Sequence, residues 1–241
     1  IFAVTEHTDA LEALLPSLAG FKDAAVETVS YNGLSAVVCE APKRKLRPRR
    51  KNLKIHHDTV HALTDATSTL PMAFGMIAEG DEAVAQFLER HHDSLTEQLK
   101  RLHGRAEMGL TVSWKAEDVT AHLVSKREDL QAERDRLFAD GREPSREEKI
   151  ALGQSFAEAL EAERNDVTER VVALLSGACE ELQVNEPRSD QEIVRLAMLI
   201  GADAQEALIE SIEAAARAFD DDILFSISGP IAPYSFLELE V

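Results

Sequence analysis

Cysteine is scarce in this chain of 241 residues, which contains only two. Cys39 and Cys179 are far apart and form no Cys-x-x-Cys pair. This number and spacing exclude a secreted disulfide framework and a zinc knuckle, and they favour a reducing cytoplasm.

Positive charge is also in short supply. The chain carries 26 Lys and Arg against 44 Asp and Glu, a formal net charge of -18. Such a chain is a poor general binder of nucleic acid or of anionic membranes. No apolar run approaches the roughly 20 residues that a helix needs to cross a bilayer. We therefore expect a soluble cytoplasmic protein.

The signatures of common catalytic folds are missing as well. The sequence has no Gly-x-Ser-x-Gly elbow, Walker loop, dinucleotide-binding fingerprint or kinase signature. We therefore expect neither an enzyme nor a cofactor.

What the chain does have is a globular balance, with 44% hydrophobic and 29% charged residues, over a length that suits one or two domains. Apolar periodicity and turn signals predict the order βαββαβ in the first hundred residues, which is the ferredoxin-like arrangement. Asn32-Gly33 is a strong hairpin signal within it. The predicted segments are strands at 1–4, 24–31, 34–39 and 70–77, and helices from about residue 9 to Gly20 and at 55–66.

A helix predicted at 81–103 closes this first domain, which we assign to residues 1–105. Residues 106–241 are predicted to form an α+β domain, a ferredoxin-like variant whose first crossover is stretched into a long antiparallel helical hairpin at about 117–182. Ser145 and Glu148 have the spacing of a capping box at the start of the second hairpin helix. The predicted strands are 107–115, 181–186, 193–200 and 223–227, with a further helix at 202–219.

A basic segment at residues 43–54 has eight positive charges and no negative one, while the rest of the chain sums to -26. It could contact an acidic protein face or a phosphate backbone, or be a solvated connection. Nucleic acid is the poorer of the two ligands because the segment lacks aromatic residues. The candidate contact residues are Lys43, Arg44, Lys45, Arg47, Arg49, Arg50, Lys51 and Lys54.

Histidines cluster at His56, His57 and His61, and the last two are spaced four residues apart, as two metal ligands on one helix face would be. The Glu of a zinc-protease helix is absent between them, and no cysteine is near in sequence. We therefore predict no metal site and treat these as ordinary helix histidines.

Three motifs in order resemble the gas vesicle protein F and L family. The first runs from the helix with His57 and His61 to Leu-Pro-x-x-Phe-Gly at residues 70–75. The second is the segment 103–107 with the strand that follows it, and the third lies at residues 228–236. The family-motif positions are Leu70, Pro71, Phe74, Gly75, Gly229, Pro230, Pro233, Tyr234 and Phe236.

The resemblance implies an accessory or minor structural protein of gas vesicle assembly, located in the cytoplasm with the vesicle. Its implied partners are the hydrophobic shell protein and other gas vesicle proteins, with no small-molecule substrate. It also implies a ferredoxin-like N-terminal domain and an α+β C-terminal domain with a coiled-coil hairpin. A nucleic-acid-binding regulator that uses the basic segment is the alternative, and a metal-dependent enzyme is a more distant one.

Overall fold

The structure is a computed structural model that describes residues 1–40, 46–139 and 143–239. Within these ranges the chain is α+β, with two antiparallel four-stranded sheets, which confirms the predicted fold class. The first half contains β1 (Ala3–Glu6), α1 (Asp9–Leu14), β2 (Val26–Tyr31), β3 (Leu34–Cys39), α2 (Arg50–Ala66), β4 (Thr69–Pro71), α3 (Asp81–Arg90) and α4 (His92–Leu102). The rest contains β5 (Arg105–Trp114), α5 (Val119–Lys126), α6 (Glu128–Leu137), α7 (Arg146–Leu175), β6 (Glu181–Asn185), β7 (Glu192–Gly201), α8 (Gln205–Ala216) and β8 (Ile223–Ile231).

The chain divides into two compact units. Unit 1 groups the described residues within 1–108, 199–203 and 229–239, and unit 2 groups those within 109–198 and 204–228. From the sequence we predict a single domain boundary after residue 105. The grouping by contacts differs from it, because residues 199–203 and 229–239 belong with the first unit. The chain segment after β8 is therefore part of unit 1.

The first sheet has the strand order β2-β3-β1-β4. β1 pairs antiparallel with both β3 and β4, and β2 pairs with β3 across the Asn32-Gly33 turn. Both turn residues have positive φ, 43° and 87°, as a type I′ hairpin turn requires. Phe2, Leu11, Val37, Val60 and Leu63 form the core beneath this sheet.

The second sheet has the order β6-β7-β5-β8. Along β5 the alternate residues Met108, Leu110, Val112 and Trp114 are buried, as the period of two predicts. The predicted helical hairpin is present as α5 and α6 followed by α7, a helix of 30 residues. The capping box is also present, since Ser145 accepts from the Glu148 N–H and the Glu148 carboxylate accepts from the Ser145 N–H.

Several predicted boundaries were wrong. α2 begins at Arg50 rather than residue 55, and β4 ends at Pro71 rather than near residue 77. The helix predicted at 81–103 is broken at His91, whose φ and ψ are -106° and 14°. β8 continues to Ile231, four residues beyond the predicted end. Gly20 does not end a helix in a left-handed conformation, because its φ is -83°.

Candidate functional site

The basic segment surrounds the start of α2. Lys43, Arg44 and Lys45 lie outside the described residues, whereas Arg47, Arg49, Arg50, Lys51 and Lys54 are all exposed. Arg49 occupies the N-cap without a capping side chain, and the first turn of α2 has no acidic residue. The amino end of a helix carries partial positive charge, so this arrangement disfavours the helix and leaves the charges open to a partner.

Within the described part of the basic segment, Lys54 forms an ion pair with another side chain. Its Nζ lies 2.6 Å from Asp58 Oδ2, one turn along α2. Both side chains are more than half exposed, so the pair adds little to stability.

The first family motif forms part of the core of unit 1. Leu70 and Pro71 are buried in β4. The ring of Phe74 packs edge-on against His56, and Gly75 has a φ of 91°. His56 Nε2 donates to the Met72 carbonyl at 3.0 Å, which fixes the proton on that nitrogen. Burial lowers the pKa of His56, and the bond to Met72 opposes that shift. His56 is therefore a neutral core residue.

The third family motif anchors the chain after β8 within unit 1. The Glu107 carboxylate, almost fully buried, accepts the Ser235 N–H at 2.7 Å and the Ser235 hydroxyl at 2.8 Å. The Arg101 guanidinium donates to the Phe236 carbonyl. Burial, with a smaller contribution from the Glu107 carboxylate, raises the pKa of Tyr234 to about 12. These contacts show an anchoring role for the motif.

Gly229 and Pro230, the start of the same motif, lie in β8 just before its last residue, Ile231. A side chain at Gly229 would place its Cβ 2.8 Å from the Glu107 carbonyl, and the residue has a φ of 105°. Both constraints require glycine here. Pro233 and Phe236 are buried farther along, and Tyr234 packs against the Phe2 core.

A cavity of about 520 Å³ lies in unit 1 beside this anchor, which is a size that suits a small ligand. Pro230, Pro233 and Leu102 line it together with His61, Asp65 and Arg105. His61 Nδ1 pairs with Asp65 at 2.9 Å, and Arg105 donates to the Arg101 carbonyl at 2.6 Å. The charged lining groups are thus engaged with one another or with backbone.

The histidines do not assemble a metal centre in the part of the chain that the structure describes, where no group of three potential ligands was found. The rings of His57 and His61 lie 6.0 Å apart, and His61 is paired with Asp65.

A small polar cluster that periodicity did not reveal surrounds His7. Its Nδ1 is 2.9 Å from Ser35 Oγ and 3.8 Å from the Glu12 carboxylate, and Ser30 Oγ is 2.8 Å from Ser35 Oγ. One nitrogen contacts both hydroxyl and carboxylate, whereas a catalytic triad uses opposite sides of the ring. The sequence signal that could have revealed part of this cluster is the predicted hairpin, because its register places Ser30 opposite Ser35.

β8 is an edge strand of the second sheet, and its side chains are largely exposed. Leu224 and Ile227 are 44% and 38% exposed, and no residue from 223 to 231 is charged. The sequence prediction included a strand here but not its edge position, which depends on the strand order.

Comparison with known proteins places these features in a family context. Residues 1–238 match the family described as "Gas vesicle synthesis protein GvpL/GvpF". Gas vesicle protein F of Dolichospermum flosaquae is 26% identical, with 83% of this chain and 82% of that protein covered. Gas vesicle protein L1 of Halobacterium salinarum is also 26% identical, with coverage of 98% and 89%.

Solved structures share the fold. The crystal structure of GvpF from Anabaena sp. PCC7120 has a TM-score of 0.81 at 22% identity and covers 100% of this chain and 98% of that one. GvpF from Microcystis aeruginosa has a TM-score of 0.78 at 23% identity, with coverage of 99% and 98%.

Proposed function

Because the chain belongs to the GvpL/GvpF family of gas vesicle synthesis proteins, we propose that it is an accessory or minor structural protein of gas vesicle assembly. In this role it binds the hydrophobic shell protein and other gas vesicle proteins, and it nucleates or chaperones shell formation in the cytoplasm. The observation that carries the proposal is the family match over residues 1–238.

The surface chemistry of the chain supports a holding role. A net charge of -18 keeps a protein dispersed. At the same time Leu174 and Val184 of unit 2 expose apolar side chains that an apolar partner can cover. In the described ranges, no helix has the length and apolar character needed to span a membrane.

Capture of the shell protein tests the proposal. The tagged chain should retain shell protein on an affinity resin and keep it from aggregating as denaturant is diluted. A tagged unrelated protein of similar size and net charge controls for simple electrostatic dispersal. Absence of both retention and protection would contradict the proposed function.

We also propose that the basic segment contacts an acidic face of a partner gas vesicle protein. Its described members are exposed and lie at a helix end that their charges do not stabilise. Such a contact weakens with salt because screening acts on opposite charges. If the nucleic-acid alternative holds instead, the chain will produce a salt-sensitive gel shift that requires the same residues.

A further inference from the structure

Residues 224–228 of β8 lack the protection that edge strands usually have. Exposed edges are normally blocked by charge, by cover or by shortness, because their free N–H and C=O groups invite another strand. Among the described edge strands, β4 is buried, β2 contains Glu27, and β6 is short and contains Glu181. β8 has nine residues, no charge and no comparable burial, and its proline, Pro230, lies beyond residue 228 near the end of the strand.

The exposure pattern shows that this edge is open within unit 2. Ser226, Ile227 and Ser228 are consecutive and all exposed, so both faces of the strand are accessible there. Among the described residues, no backbone hydrogen bond from a loop or cap reaches residues 224–228. The open segment therefore presents unpaired backbone groups beside apolar side chains.

We propose that residues 224–228 of β8 pair with the same strand of a second copy of this chain. In an antiparallel register centred on Ser226, Ser226 faces Ser226 of the second copy. Phe225 then faces Ile227, and Leu224 faces Ser228. An aromatic residue opposite a β-branched one is a favourable cross-strand pair.

The absence of charge on residues 224–228 suits a second copy of the same strand, even though the whole chain is acidic. A strand without charges can meet its own copy without burying an unpaired charge. The pairing is isologous, so it closes at a dimer and does not extend into a fibre. A five-residue strand pair buries less than the roughly 1,200 Å² of a standard interface, so the dimer is weak and forms in the micromolar range or above.

Salt dependence separates self-pairing from binding of a basic partner. Each copy carries a net charge of -18, so screening reduces repulsion between copies and tightens the dimer. A complex held by opposite charges weakens under the same change.

Analytical ultracentrifugation of the parent chain, Ser226→Lys and Ser176→Lys tests the pairing. We expect the parent and Ser176→Lys to dimerise at about 200 µM protein, more strongly at high salt. Ser226→Lys should weaken dimerisation at least about tenfold, because two lysines would face each other. Both substitutions are at exposed serines, and circular dichroism checks that each variant folds.

Disulfide trapping tests the register. Under mild oxidation Ser226→Cys should give a covalent dimer, whereas the parent, with Cys39 and Cys179, and Ser176→Cys should not. A parent that stays monomeric at every salt concentration, or a Ser226→Lys variant that dimerises like the parent, overturns the proposal.

The test of dimerisation can succeed or fail independently of the test of the proposed function. Shell-protein capture is measured with the same variants. If the parent is monomeric and Ser226→Lys alone loses capture, self-pairing is overturned and the edge belongs to the shell protein. If capture fails for every variant, dimerisation still decides the pairing on its own.

Discussion

Gly20 and Gly153 show that two glycines can be present for unrelated reasons. Gly20 has an ordinary φ, yet a Cβ there would lie 2.6 Å from the Ala24 carbonyl oxygen and 2.9 Å from the Cys39 Cβ. Gly153 lies inside α7, where a Cβ would point into open space with no neighbouring element within 4 Å. The first is required by packing, while the second weakens a helix.

Alanine at these two positions should therefore have opposite effects. Gly20→Ala should lower the free energy of unfolding by about 1–3 kcal/mol, because backbone must shift. Gly153→Ala should raise it by up to about 1 kcal/mol through helix propensity. Urea denaturation of the two variants beside the parent measures both. Equal effects would contradict the steric role of Gly20.

His56 should make the stability of unit 1 sensitive to acid. Burial lowers its pKa, so below the ordinary value of about 6.5 the unfolded chain binds a proton that the folded chain does not. The free energy of unfolding therefore falls as the pH falls through this range. In His56→Gln, whose amide can still donate to the Met72 carbonyl, the decline should be shallower.

Denaturant unfolding at pH values between about 7 and 5 gives this slope. His57→Gln is the matched control, since His57 is the exposed neighbour on the same helix. If His57→Gln flattens the slope as much as His56→Gln does, burial of His56 is not the cause.

The positive charges in the first turn of α2 should lower the stability of the helix and raise the affinity for an acidic partner. Lys51 lies at the second helical position, where a positive charge opposes the helix dipole. Lys51→Glu should raise the melting temperature through a gain of about 0.3–1 kcal/mol. The same change should weaken the complex with an acidic partner at low salt.

Lys100→Glu is the control for this charge reversal, because Lys100 lies in the last turn of α4, where the dipole favours a cation. That variant should lose stability and keep its partner. Calorimetry and a pull-down at two salt concentrations give both readouts. If Lys51→Glu gains stability without any loss of binding, the basic segment is not a contact surface.

Elements with local signals were predictable from the sequence. Asn32-Gly33 and the Ser145–Glu148 capping box depend on residues at most three apart, and both are present. The break at His91 was missed because the apolar spacing continues through it. The early start of α2 was missed because its first turn carries charges more typical of a loop.

Contacts over long sequence distances could not be read from periodicity. Glu107 and Ser235 are 128 residues apart, and neither residue signals the other. The family motifs single out segments of the chain, yet a motif does not distinguish a core residue from a binding residue. Leu70, Pro71 and Phe236 are buried, so their role in unit 1 is packing.

The charge of the whole molecule should make its stability depend on salt. The chain has 44 acidic and 26 basic residues, so long-range repulsion exceeds attraction. Ion pairs such as Arg127–Asp129 are largely exposed and contribute little to the free energy of unfolding. Salt therefore costs less stability by screening these pairs than it adds by screening the repulsion between acidic groups.

Raising NaCl from about 50 to about 500 mM should therefore raise the melting temperature, by about 2–4 °C for each kcal/mol of relief. Differential scanning calorimetry at low protein concentration measures this without a contribution from dimers. Potassium chloride at the same ionic strength controls for effects specific to sodium, and sulfate is avoided because it stabilises proteins by exclusion from their surface. A lower melting temperature in both salts would mean that the ion pairs dominate.

The two sheets share one strand order, in which the second strand is outermost, followed by the third, the first and the fourth. The two halves differ in the connection after their first strand, where six-residue α1 stands in one half and α5 to α7 in the other, and the first half also has α3 and α4 after β4. One strand order therefore coexists with a short and with a long connection at this point, so a reporter domain grafted there should leave the sheet intact.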